Sequence, residues 1–187
     1  MKIGIYGGTF DPIHFGHLIL ARDARETLGL EKVIFVPAAA SPLKEPPVAS
    51  AETRLSMLRA AIAGQNGFVA DDCELKRPPP SYSIDTVLQI REREPNAELF
   101  WLIGSDNVSS LSKWHRIDAL KNLVQFVVLD RAGSAAKHSH PVVQRKIDIS
   151  ATEIRKRVAS GQSIRYFVPA AVEEIIRRGN LYRELVR

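Results

Sequence analysis

Apolar residues along this chain gather into short runs separated by longer stretches of mixed polarity. The runs 2–6 (KIGIY), 32–36 (KVIFV), 68–75 (FVADDCEL), 99–103 (LFWLI), 125–130 (QFVVLD) and 143–149 have strand length, and each predicts a β-strand. Between them the polarity follows a helical period. Residues 17–28 carry Leu18, Leu20, Ala21, Ala24 and Leu28 on one side, and 52–63 carry Leu55, Leu58 and Ile62 at helical spacing. Ser83 is placed to cap a helix over 84–94. Ser150 followed by Glu153 has the spacing of a capping box, Pro169 suits the first turn of a last helix, and Gly179 sits where that helix should stop. The alternation predicts an α/β fold built on a doubly wound, mainly parallel sheet, with a small helical segment from about residue 150.

Length and composition narrow this further. A chain of 187 residues is expected to form one domain, 1–187, with 45% hydrophobic and 25% charged residues as in ordinary globular proteins. The single cysteine, Cys73, excludes an internal disulfide framework and fits a reducing compartment. No leader-like segment and no apolar run approaching the roughly 20 residues of a membrane span is visible, so the expectation is a cytoplasmic protein. Two proline-rich stretches, 37–47 and 77–80, interrupt the rhythm after strands and are candidate lids or binding loops, while 132–141 reads as a surface connection.

Charge changes the picture modestly. The formal net charge is +5, and residues 150–187 hold eight basic against four acidic side chains. Such a surplus points to an anionic partner, either a phosphate-bearing small molecule or nucleic acid. No nucleic-acid-binding motif accompanies it, and aromatic residues are not interleaved with the basic ones, so neither nucleic acid nor membrane is expected as a partner.

The chemistry concentrates in residues 7–17, GGTFDPIHFGH, directly behind the first strand. A strand, a glycine turn and a helix entered near His14–His17 form a first βα unit, and ligands of open parallel sheets bind at the carboxyl ends of strands. Gly7 and Gly8 permit a tight turn, and the helix N-terminus offers unpaired N–H groups and partial positive charge suited to phosphate. Histidines three apart share one side of a helical turn, so both His14 and His17 can face one anion, while Gly16 leaves room for a nucleotide. Neither GxxxxGK[ST] nor GxGxxG occurs, which argues against a P-loop protein and an ordinary dinucleotide-binding dehydrogenase. A metal site on Asp11, His14 and His17 is a rival reading, weakened by the want of an obvious fourth ligand.

Taken whole, GGTFDPIHFGH resembles the signature of the HxGH nucleotidyltransferases, whose members share a Rossmann-like fold. The segment ISATEIR (149–155) looks like the ISSTxIR motif of the same superfamily, with Ala151 in place of its second serine. SPLK (41–44), PSYSIDT (80–86) and WLIGSDNVSSLSKWHRIDAL (101–120) narrow the likeness to bacterial nicotinate-nucleotide adenylyltransferases. The resemblance implies transfer of AMP from ATP to nicotinate mononucleotide, giving deamido-NAD and pyrophosphate, with Mg2+ accompanying the ATP. An adenylyltransferase acting on nicotinamide mononucleotide or phosphopantetheine is the same-class alternative, and a non-catalytic nucleotide- or nucleic-acid-binding module the other.

The resemblance also implies residue roles. His14 and His17 contact the ATP phosphates, with His17 the better placed for the transition state. Gly8, Thr9 and Phe10 line the phosphate passage, Arg155 meets the β/γ-phosphates, Ser150 caps its helix in a role compatible with an ATP contact, Asp106 contacts the ribose and Gly104 lets adenine approach. Lys44 binds phosphate, Trp114 stacks on the pyridine ring, and Thr86 with the backbone N–H of His115 takes the nicotinate carboxylate.

Overall fold

The computed structural model describes residues 1–39, 46–78, 80–131 and 138–183. The strands are β1 (Lys2–Gly8), β2 (Lys32–Pro37), β3 (Phe68–Ala70), β4 (Glu98–Gly104), β5 (Gln125–Asp130) and β6 (Val142–Gln144). They form one six-stranded sheet in the order β3-β2-β1-β4-β5-β6, and every pairing is parallel. The strand order therefore reverses between β1 and β4, where a crevice opens beyond the carboxyl ends of both strands.

Alternation within the strands decides what each face buries. In β4, Leu99, Trp101 and Ile103 point to one side, and Phe100 and Leu102 to the other; β5 divides Phe126 and Val128 from Val127 and Leu129 in the same way. One face is covered by the helices α1 (Phe15–Leu28), α2 (Ala51–Ile62), α5 (Ala151–Ala159) and α6 (Ala170–Arg178). The other is covered by α3 (Ser83–Arg93), a 3-10 segment (Ser105–Lys113) and α4 (Ile117–Leu123). Leu20, Ala21 and Ala24 of α1 are buried, as the helical spacing requires.

Several expectations are corrected in detail. The third strand stops at Ala70, because Asp71 Oδ1 accepts the N–H of Cys73 at 3.0 Å and turns the chain. The sixth strand is only Val142–Gln144. Ser83 is the first residue of α3 and not its cap, a position held by Tyr82 without a side-chain bond. Ser150 does cap α5, accepting from the N–H of Glu153 at 3.1 Å. Gly179 ends α6 without entering the left-handed region. Among the described residues, no helix is long and apolar enough to cross a membrane.

The C-terminal part returns to the site end of the sheet. The Phe15 N–H donates to the carbonyl of Phe167 at 2.9 Å, and the Tyr182 hydroxyl donates to the buried Asp11 carboxylate at 2.6 Å.

Candidate active site

Two concavities meet over the carboxyl ends of β1 and β4. The first, about 370 Å³, is bordered by Tyr6, the Gly7–Asp11 turn, His14, His17, Asp106, Arg131, Ser150 and Arg155. The second, about 650 Å³, is bordered by Glu74, Ser81–Ser83, Trp101, Ser110 and Lys113–His115. Gly7, Gly8, Thr9, Asp106 and Asn107 border both, so the glycine turn and the start of the 3-10 segment form the seam between two lobes.

The histidine pair is built differently from the helical spacing argument. His14 is not in the helix: it is the extended N-cap residue of α1, and His17 is the third residue inside. The His14 backbone N–H donates to His17 Nδ1 at 3.3 Å, and the rings stack at 3.7 Å between centroids. His14 is fully buried, and neither of its ring nitrogens has a hydrogen-bond partner. A buried unpaired imidazole at the wall of a polar cleft is costly, and an incoming acceptor or donor relieves it.

Burial, and secondarily the Arg131 charge, pushes the His14 imidazole down to about 3, so the ring is neutral near pH 7. In the unfolded chain this ring takes up a proton below its ordinary value of about 6.5, which the folded chain refuses. Stability contributed here is therefore complete above about 6.5 and is lost as pH falls toward 3, amounting to about 2 kcal/mol at pH 5. Denaturant titrations at pH 7 and pH 5 should show wild type losing about that much more than His14→Gln; equal losses would contradict the buried neutral ring.

Gly16 does not border either lobe. A Cβ there would lie 3.0 Å from His14 Cε1 and Nδ1 and 3.4 Å from the Ile149 carbonyl oxygen. The missing side chain thus makes room for the His14 ring, not for a nucleotide. At Gly104, a Cβ would run into the Asp106 carboxylate, which lies back across the strand end.

Phe10 borders the first lobe, with φ of 49° in the left-handed region, and its ring meets His17 edge-on at 5.2 Å. The unusual backbone is held by a residue the sequence did not single out. Arg54 of α2, 1% exposed, donates from Nη1 to the Thr9 carbonyl at 2.8 Å and from Nε to the Ala49 carbonyl at 3.3 Å. Asp11 adds a second tie, accepting from the N–H groups of Val48 (2.7 Å) and Ala49 (3.2 Å). That carboxylate therefore already accepts three donors, two from the loop and one from Tyr182.

Arg155 borders the first lobe and donates from Nη1 to the Asp11 carbonyl at 2.7 Å. Arg131, also missed, donates to the Ile149 carbonyl at 3.0 Å and brings a second guanidinium to the same wall. Of the described basic residues in 150–183, only Arg155 borders a lobe; Arg177 and Arg178 pair with Glu174, and Arg157 donates to the Ser163 carbonyl.

In the second lobe, Trp114 is half-buried and braced edge-on by Trp101 at 6.2 Å and Phe126 at 6.3 Å. The His115 ring is exposed and stacks on Tyr82 at 4.2 Å. Thr86 does not border the lobe. It is fully buried, and its hydroxyl donates to Glu74 Oε1 at 2.7 Å while accepting from Arg77 Nη2 at 2.6 Å. Lys44 lies outside the described residues.

Comparison with known proteins places the chain. Residues 5–157 match the cytidylyltransferase-like family model. The chain is 42% identical, over 100% of its length and 95% of the relative, to a protein named probable nicotinate-nucleotide adenylyltransferase of Gemmatimonas aurantiaca. It is 44% identical to the protein so named of Shouchella clausii, covering 97% of this chain and 96% of that one. Among solved structures, the Plasmodium falciparum nicotinic acid mononucleotide adenylyltransferase complexed with NaAD has the same fold, with TM-score 0.81 at 18% identity, covering 100% of this chain and 99% of that one.

Proposed function

The chain belongs to the cytidylyltransferase-like family and, within it, to the nicotinate-nucleotide adenylyltransferases, and from that premise we propose how its cleft transfers AMP from ATP to nicotinate mononucleotide. The observation that carries the reading is the pair of lobes sharing one seam, with the histidine pair in one and Trp114 in the other. ATP occupies the first lobe and the mononucleotide the second, so that their phosphates meet over Gly8 and Thr9.

At the seam a phosphate oxygen of the mononucleotide attacks the α-phosphorus of ATP. One P–O bond forms there as the bond to the β-phosphate oxygen breaks, and pyrophosphate leaves with that electron pair. The attacking oxygen is already anionic, so no general base is required, and catalysis rests on alignment and on donors facing the developing charge. His17 supplies one. Its Nδ1 accepts from the His14 backbone, so in the neutral ring the proton sits on Nε2, the nitrogen from which the ring would donate to a phosphoryl oxygen. His14, neutral behind it, offers a further N–H to the triphosphate; Ser150, Arg155 and Arg131 surround its distal end.

Gly16 acts by seating His14, and Gly104 by seating Asp106, which faces the nucleoside ribose. Trp114 offers its indole face to the pyridine ring beside the His115 backbone. Magnesium arriving with ATP would find Asp106 as the carboxylate at the seam, and would supply charge shielding to the triphosphate.

Pyrophosphate release from ATP is the test. It should be rapid with nicotinate mononucleotide and much slower with nicotinamide mononucleotide or phosphopantetheine; equal or better turnover of either alternative would reassign the substrate.

A further inference from the structure

The inner wall of the second lobe carries a charge pair that the proposed chemistry does not use. Glu74 borders the lobe at 6% exposure. Its carboxylate accepts the Thr86 hydroxyl at 2.7 Å and lies 3.9 Å from Arg77 Nη2. Arg77 is fixed in turn, donating from Nη2 to Thr86 Oγ1 at 2.6 Å and to Ser81 Oγ at 2.8 Å. Ser81 and Thr86 are themselves buried.

We propose that this Glu74–Arg77 pair sets the preference of the pyridine site for a carboxylate over a carboxamide, with Arg77 the specificity-determining positioning residue. The inference rests on the assignment of the second lobe to a pyridine mononucleotide.

The argument follows from proton counting and charge. A threonine hydroxyl has a single proton, and that of Thr86 is directed at Glu74, so it has none to donate into the lobe. What this corner presents to a ligand is therefore chiefly its field. An isolated glutamate in the wall repels a substrate carboxylate and accepts from the NH2 of a carboxamide, which favours the amide. The Arg77 guanidinium cancels that charge from within the same hydrogen-bonded set. Burial pushes the Glu74 carboxyl up from its ordinary range, while the Thr86 hydroxyl, the Arg77 charge and Ser81 draw it back toward ionisation. Two hydroxyls hold the guanidinium in place, so the neutral wall is built in rather than left to a mobile surface cation.

Loss of the Arg77 charge should lower the preference for the acid and loss of the Glu74 charge should not, an asymmetry that a merely structural role does not produce. For wild type, Arg77→Gln, Arg77→Lys, Glu74→Gln and the double variant, the ratio of kcat/KM for nicotinate over nicotinamide mononucleotide is measured. The same ratio is taken from dissociation constants with a non-reacting ATP analogue. Arg77→Gln should lower both ratios about tenfold, mainly through the acid's KM and Kd. Arg77→Lys, keeping the charge, should retain most of the preference. Glu74→Gln should leave the ratio at or above wild type, and the double variant should return toward it. Ratios within about twofold of wild type in Arg77→Gln, or a fall in Glu74→Gln, would overturn the proposal. If Arg77→Gln does not fold, Glu74→Gln and the double variant decide by the same criteria. A wild type that binds both mononucleotides without turnover would contradict the proposed reaction, while the binding ratios would still judge the wall.

Discussion

His17→Ala is expected to lower kcat by about a hundred- to a thousandfold, with little change in thermal stability or in KM for ATP. The size of the loss follows from what the ring does in this cleft. Its Nδ1 is fixed by the His14 N–H and its face is stacked on His14 at 3.7 Å, so the remaining nitrogen is positioned without reorganisation when charge develops on phosphorus. The fold should survive because neighbouring Phe10 and Tyr6 contact the ring only edge-on, at 5.2 and 6.0 Å. Steady-state pyrophosphate release beside a thermal melt separates the two effects. Wild-type turnover in a folded variant would remove His17 from the chemistry.

The second large effect lies away from the reacting atoms. Arg54→Met should cost about 2–4 kcal/mol of stability and most of the activity, although Arg54 borders neither lobe. The guanidinium is 1% exposed and holds the Thr9 and Ala49 carbonyls, which no other described side chain replaces. Its loss leaves those acceptors unpaired and removes a cation that interacts with the buried Asp11 carboxylate. The Gly8–Phe10 turn, with its positive φ at Phe10, then has no inner brace. Denaturant titration with parallel turnover measurement checks this; near-wild-type stability would show that Asp11 and Tyr182 suffice.

These two residues mark how far the sequence could be read. His17 announced itself, because a strand, a glycine turn and a helix start place it at a strand's carboxyl end whatever else the chain does. Gly8, Asp106, Ser150, Arg155 and Trp114 came from the family resemblance, and all five border the lobes. The parallel sheet was equally plain, since each strand run was short, apolar and separated from the next by helical spacing.

What stayed hidden depends on contacts between distant segments. Arg54 sits in an ordinary helical heptad, and only the folded chain brings it under Thr9, 45 positions away. Nothing near Asp11 in the sequence announces that its carboxylate accepts from Tyr182, 171 positions later. Thr86 was read as a ligand contact, but Glu74 and Arg77 arrive from the loop before α3 and take its hydroxyl. Gly16 was read as space for nucleotide because spacing does not reveal that His14 folds back over it. In each case the residue type was legible, and the partner that decides its use was not.

The central claim is that the seam lets one reactant attack the other directly, with His17 as a donor and never as a carrier of AMP. The stereochemical course at the α-phosphorus tests it most directly, using ATP bearing sulfur at that phosphorus in one configuration. A single in-line displacement predicts inversion in the dinucleotide product. Retention would require an adenylylated enzyme, and the direct transfer described above would then be wrong.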